Sequence, residues 1–241
     1  MFSKFRDHFY QSDRINWNNL TFTRAELWKL LYPLMLEQLL TSFMGMADTM
    51  MVTRAGSEAI SAVSLVDSIN ILVIQILSAM AAGGTIICSQ YIGHKDFKKC
   101  NAAARQVVLT VLMISIPLAL LCLILRRPLL GLVFGSVDPA VMENGVTYFF
   151  YTSISFPFLA LFESGAAFYR AGGNSRFPMT LSVISNCLNI FGNAVLIFGF
   201  DMGVAGAAIS TLLSRIFSAV VIFCFLRKPR QPIVIDHYLR I

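Results

Sequence analysis

Asp48 interrupts an otherwise oily stretch, PLMLEQLLTSFMGMADTMMV. Gln38, Thr41, Gly45 and Asp48 fall at i, i+3, i+7 and i+10, which keeps them on one face of a helix. Glu37 stands eleven residues before Asp48, close to the same line. A second polar stripe, Ser182, Asn186, Asn189 and Asn193, runs at steps of four, three and four. A third, Thr211, Ser214 and Ser218, runs at three and four. Taken singly, each of these two stripes reads as hydrogen-bonding glue between helices. Gathered around Asp48, their oxygens make a ligand set for a hard cation or a shared proton, with Asp48 as the titratable charge.

The elements that must hold these residues are long and apolar. Hydrophobic residues make up 56% of the 241-residue chain, charged residues only 13%, and mean hydropathy is +0.69. Six stretches read as spanning helices: 25–53, 59–88, 101–125, 142–169, 178–198 and 203–226. Each exceeds the roughly 20 residues needed to cross about 30 Å of hydrocarbon. Backbone groups in lipid must be satisfied within the segment, so helices are expected, and no short alternating blocks of barrel type occur. The fold class is therefore all-α: a polytopic membrane protein of six helices in one compact bundle. A carboxylate inside such a segment is costly and marks an ion or substrate path. Asp48 fits that description best; Glu37 reads equally well as a boundary residue.

Charge sets the orientation. Lys4, Arg6, Arg14 and Arg24 precede the first helix, and Lys95, Lys98, Lys99 and Arg105 flank the second connection. Arg170 and Arg176 flank the fourth, and Arg227, Lys228, Arg230 and Arg240 follow the sixth helix. The other side carries only Arg54, Arg126 and Arg127, so both termini are expected in the cytoplasm. The formal charge of +6 is thus topological, and no nucleic-acid surface is expected. Residues 1–24 lack an apolar core and read as a cytoplasmic segment; 227–241 reads as a cytoplasmic linker or tail after the 25–226 bundle. The longer outer excursion, 126–145, is amphipathic enough to lie at the interface.

No enzyme constellation is present. His8, His94 and His237 are far apart, and no nucleophile motif or P-loop occurs. The five cysteines sit at wide, unrelated spacings and read as packing thiols. No cofactor is expected, nor any metal beyond Na+ at the Asp48 cluster. Without a nucleotide-binding unit, an ion gradient is the remaining energy source. Pro33 removes a backbone hydrogen bond and should bend the first helix. Glu163 is expected to pair with Arg215, structurally by default, with a substrate role open. Asp67 lies about two turns into its helix and reads as interfacial. The small residues of MAAGG (80–84) and GVAGAAIS (203–210) are expected to let helices approach closely.

PLMLEQLLTSFMGMADTMMVTRAGSEAISAVSLVDSI resembles the first two helices of the multidrug and toxic compound extrusion (MATE) family. SQYIGHKD resembles that family's turn after helix two, and YRAGGNSRFPMTLSVISNCLNIFGNAVLIFGFDMGVAGAAISTLLSR its helix-five and helix-six segment. The resemblance covers about 27–226 and implies a Na+- or H+-coupled antiporter that expels amphipathic, often cationic drugs. It implies two six-helix lobes around a central cavity, of which this chain matches the N-terminal one. The family's helix-one proline and aspartate fall on Pro33 and Asp48, and its cation cluster in this lobe on Asp48, Asn189, Asn193 and Thr211. Some members carry an aspartate where Asn193 stands here, which leaves Asp48 the only evident carboxylate of the cluster.

The expectation is the N-terminal lobe of such an antiporter in a bacterial inner membrane, multi-pass. Its partners would be the lipid bilayer, lipophilic cationic small molecules, and either a C-terminal lobe or a second copy of the chain. Gln38, Glu37, Glu163 and Arg215 are the candidates for substrate contact or a supporting network. Two rival readings are a truncated, non-transporting membrane fragment and a flippase for lipid-linked saccharides. The flippase ranks lower, because Arg215 is the one candidate cation for an anionic headgroup.

Overall fold

The computed structural model describes residues 24–135 and 138–227. The expected N-terminal segment and C-terminal linker lie outside the described residues, apart from Arg24 and Arg227. Helix α1 covers Arg24–Val52 and ends in a 3-10 turn, Thr53–Ala55. Then come α2 (Ser57–Gly93), α3 (Phe97–Ile124), α4 (Arg126–Phe134) and α5 (Pro139–Ala171). Helix α6 (Arg176–Asn193) runs on through a π-helical stretch, Ala194–Gly199, and α7 covers Gly203–Leu226. Among the described residues there is no strand.

Helices α2, α3, α5, α7 and the α6 span with its extension are each long and apolar enough to cross a membrane. Helix α1 has the length, at 29 residues, but falls short in apolarity. The cause is its own polar face, since Glu37, Gln38, Thr41 and Asp48 all lie within it. The short α4 occupies the amphipathic excursion, with Leu130 buried and Leu132 facing outward.

Local chemistry starts the helices. The Asp96 side chain accepts from the Lys99 N–H at 3.1 Å and caps α3. Asp138 does the same for α5, accepting from Ala140 N at 2.9 Å, with Pro139 at the first helical position. After α5, Gly173 takes φ +80°, a conformation open to glycine that turns the chain back into α6.

Helix α5 is the hub. It packs against α2, α3 and α7, and its Phe149, Phe156 and Phe168 are fully buried. Lipid offers no hydrophobic drive between helices, so contact rests on close fit. Gly84 of α2 lies against Val107 of α3, and Gly165 of α5 against Ile222 of α7. Large apolar residues point the other way: Leu72, Met113 and Ile124 are exposed. Helix α1 leans mainly on α6 and touches α2 and α7 only lightly. That leaves a space between α1 and the rest of the bundle.

Candidate functional site

The space is a cavity of about 600 Å3, walled by α1, α2, α5, α6 and α7. Its size falls within the roughly 300–1,000 Å3 of small-molecule sites. Glu37, Gln38, Thr41, Gly45 and Asp48 all line it from α1, as a face spaced at helical period must. Ser182, Ser185, Asn186 and Asn189 line it from α6, and Thr211, Ser214, Arg215 and Ser218 from α7. Gln75 and Ser78 of α2 add polar groups that the sequence reading did not single out.

The structure brings Asp48, Asn189, Asn193 and Thr211 together. Asn193 is fully buried and donates its amide to Asp48 Oδ1 at 2.5 Å. The Asn189 amide finds complementary partners when its nitrogen faces Asp48 Oδ1 at 2.8 Å. Its oxygen then accepts from both Thr211 Oγ1 and Thr211 N at 3.1 Å. Two neutral donors therefore converge on one carboxylate oxygen, which offsets much of the cost of holding that charge away from water. Ser210 of α7 fixes the crossing by donating to the Asn189 carbonyl at 2.7 Å. Among the described residues, Asn193 Oδ1 is buried with no hydrogen-bond partner. No group of three or more His, Cys, Asp or Glu side chains among them is placed to hold a metal ion. A cation here would rest on one carboxylate plus amide and hydroxyl oxygens, a set that suits Na+ better than a transition metal.

Pro33 lies inside α1 and is buried, four residues before Glu37. The helix runs continuously through it, from Arg24 to Val52.

The expected Glu163–Arg215 pair does not form. Arg215 Nη1 donates instead to Ser155 Oγ at 2.6 Å. The reason is axial position. Ser155 precedes Glu163 by eight residues on α5, about 12 Å along the helix at 1.5 Å per residue. Glu163 has Arg170 as its ion-pair partner, at 4.0 Å on the same helix. Arg170 Nη2 in turn meets both Glu37 carboxylate oxygens at 3.1 Å, tying α1 to the end of α5. Sequence reasoning counted Arg170 only among the orienting cations. The signal was available, because Glu163 and Arg170 stand seven residues apart and share a face. Asp67, read as interfacial, accepts from Asn70 at 3.2 Å and from Tyr148 at 3.3 Å.

A family model described as MatE matches residues 33–195. The chain is 30% identical over 209 residues to the uncharacterized transporter YisQ of Bacillus subtilis, covering 85% of this chain and 46% of that protein. It is also 30% identical over 206 residues to the probable multidrug resistance protein NorM of Thermotoga maritima, covering 83% and 43%. Among solved structures, a MOP superfamily transporter from Pyrococcus furiosus superposes with a TM-score of 0.82 at 21% identity, over 88% of this chain and 46% of that one. The chain thus spans about half the length of the curated relatives it matches. With a matching family model over most of its length and the same helical lobe, this chain belongs to the MATE family of membrane transporters.

Proposed function

We propose that the protein serves ion-coupled export of amphipathic or cationic drugs, with Asp48 as the group that alternates between ion-bound and ion-free states. The observation that carries this reading is the convergence of Asn193 and Asn189 on Asp48 at the wall of a drug-sized cavity. In the orientation described, amide N–H groups hydrogen-bond the carboxylate and leave its charge in place. Turning the amides presents oxygens instead, and Asn193 Oδ1 has no competing donor among the described residues. A Na+ ion or a proton on Asp48 would then replace the N–H donors. Asp48 ties α1 to α6, so occupancy changes what holds α1 in place, and Pro33 gives that helix a point of bending.

The similarity to the probable multidrug resistance protein of Thermotoga maritima supports drugs as the cargo. The cavity charge supports cations. With every group ionised, its wall carries three acids (Glu37, Asp48, Glu163) and two arginines (Arg170, Arg215), one negative charge in excess. A carrier of anionic lipid-linked saccharides calls for the opposite balance. A second lobe, from another copy or from further polypeptide, would close the cavity. The distribution of Lys and Arg supports a cytoplasmic side at 94–96 and 171–175, in the cell inner membrane as the proposed setting.

The test is gradient-driven movement of ethidium in proteoliposomes. An imposed Na+ or pH gradient drives it in the unsubstituted protein, and Asp48→Asn abolishes the drive. An unchanged rate in Asp48→Asn would remove Asp48 from the coupling step.

A further inference from the structure

We propose that Glu37, Arg170 and Glu163 form a docking point for the positively charged group of the exported compound, separate from the ion site at Asp48. The inference rests on the drug-export reading above. Two carboxylates share one arginine here, so the cluster holds one negative charge too many. The sharing is unequal. Arg170 Nη2 lies 3.1 Å from each Glu37 oxygen, whereas Nη1 lies 4.0 Å from Glu163 Oε2, too far for a hydrogen bond. Among the described residues nothing donates to the Glu163 carboxylate, although its side chain is only 20% exposed. A carboxylate so placed is costly unless a second cation or a proton reaches it.

The cavity, which Glu163 lines, is the route by which an organic cation would reach it. The walls beside it carry Leu34, Leu159 and Phe162, an apolar surface for the body of a ligand whose charge meets Glu163. The chemistry is that of a lipophilic ammonium or a comparable organic cation. Asp48 is a poor rival for the same group. It lies eleven residues from Glu37 along α1, about 16 Å away at 1.5 Å per residue. Its carboxylate also already has two amide donors, while Glu163 has none among the described residues. The substrate charge and the coupling ion therefore occupy opposite ends of one cavity. Arg170 acts as a resident counter-ion that moves wholly to Glu37 when a substrate cation takes Glu163.

The experiment is ethidium binding, read by fluorescence, to the full chain in lipid nanodiscs without any ion gradient. N-phenyl-1-naphthylamine serves as the neutral apolar probe. Glu163→Gln is expected to weaken ethidium about tenfold, equivalent to roughly 1.4 kcal/mol, and to leave the neutral dye unchanged. Arg170→Gln is expected to tighten ethidium, the opposite of what loss of a structural ion pair would do. The proposal is overturned if Glu163→Gln leaves ethidium affinity intact, if both dyes weaken equally, or if the unsubstituted chain binds no ethidium. The Asp48 coupling reading is judged separately, by gradient-driven transport, so the two can fail independently.

Discussion

Asn193 on α6 donates to Asp48 on α1 at 2.5 Å, across 145 positions of sequence. The contact does two things at once. It satisfies the one carboxylate of the cluster, and it adds a polar tie to the packing of α1 on α6. Helix α1 touches α2 and α7 only lightly, so changes at Asp48 bear directly on where α1 sits.

Converting Asn193 to Asp should make the protein depend on a cation for its stability. The substitution sets a second carboxylate against Asp48, and two like charges about 4 Å apart repel by about 4 kcal/mol at an effective dielectric of 20. Thermal unfolding of Asn193→Asp at pH 8 without Na+ should fall by several degrees and recover on adding Na+ or acid. A melting temperature insensitive to both would contradict the placement of Asn193 at the ion site.

The α6–α7 crossing should tolerate no added bulk at Gly192. A Cβ there would collide with Ser210 Oγ and lie 3.1 Å from Ser210 Cβ. The hydroxyl cannot simply swing away, because it donates to the Asn189 carbonyl at 2.7 Å. Gly192→Ala is expected to cost about 1–3 kcal/mol, as overpacking does. At this size that lowers Tm by roughly 2–4 °C per kcal/mol. Gly192→Ala/Ser210→Ala should lose less than the sum of the single changes, which thermal unfolding of the three variants would show.

At the α2–α3 turn, pH dependence follows from Asp96. Its hydrogen bonds with Lys99, the backbone N–H first, hold its pKa below the ordinary 3.8. The unfolded chain therefore takes up the proton first as pH falls. The cap's contribution is present above 3.8 and is lost as pH drops through the folded value. Asp96→Ala should lower the melting temperature at pH 7, and the difference from the native protein should shrink below that range. A difference constant from pH 7 to pH 3 would contradict the cap.

Much of this architecture was legible in the sequence because the bilayer imposes length and period. The apolar runs marked the helices, and the spacings of three and four placed Gln38, Thr41 and Asp48 on the face that lines the cavity. The same rule set the α6 and α7 stripes. What periodicity does not encode is axial register between helices. The proposed Glu163–Arg215 pair failed on that point, since Arg215 meets α5 two turns away, at Ser155. Arg170 was missed for a related reason. A cation at a helix end serves orientation equally well whether it faces water or reaches back to Glu37. The extent of α1 was legible too, at 25–53 against Arg24–Val52, although the residues that build the site lower its apolarity below that of the other spans.

The central claim, that Asp48 is the ion-binding group, is tested most directly by titrating Na+ and protons against the thermal stability of the purified protein and of Asp48→Asn. The account predicts that Na+ or acid raises the melting temperature of the native protein in a saturable way, and that Asp48→Asn shows no such response. An identical cation dependence in the two proteins would contradict it.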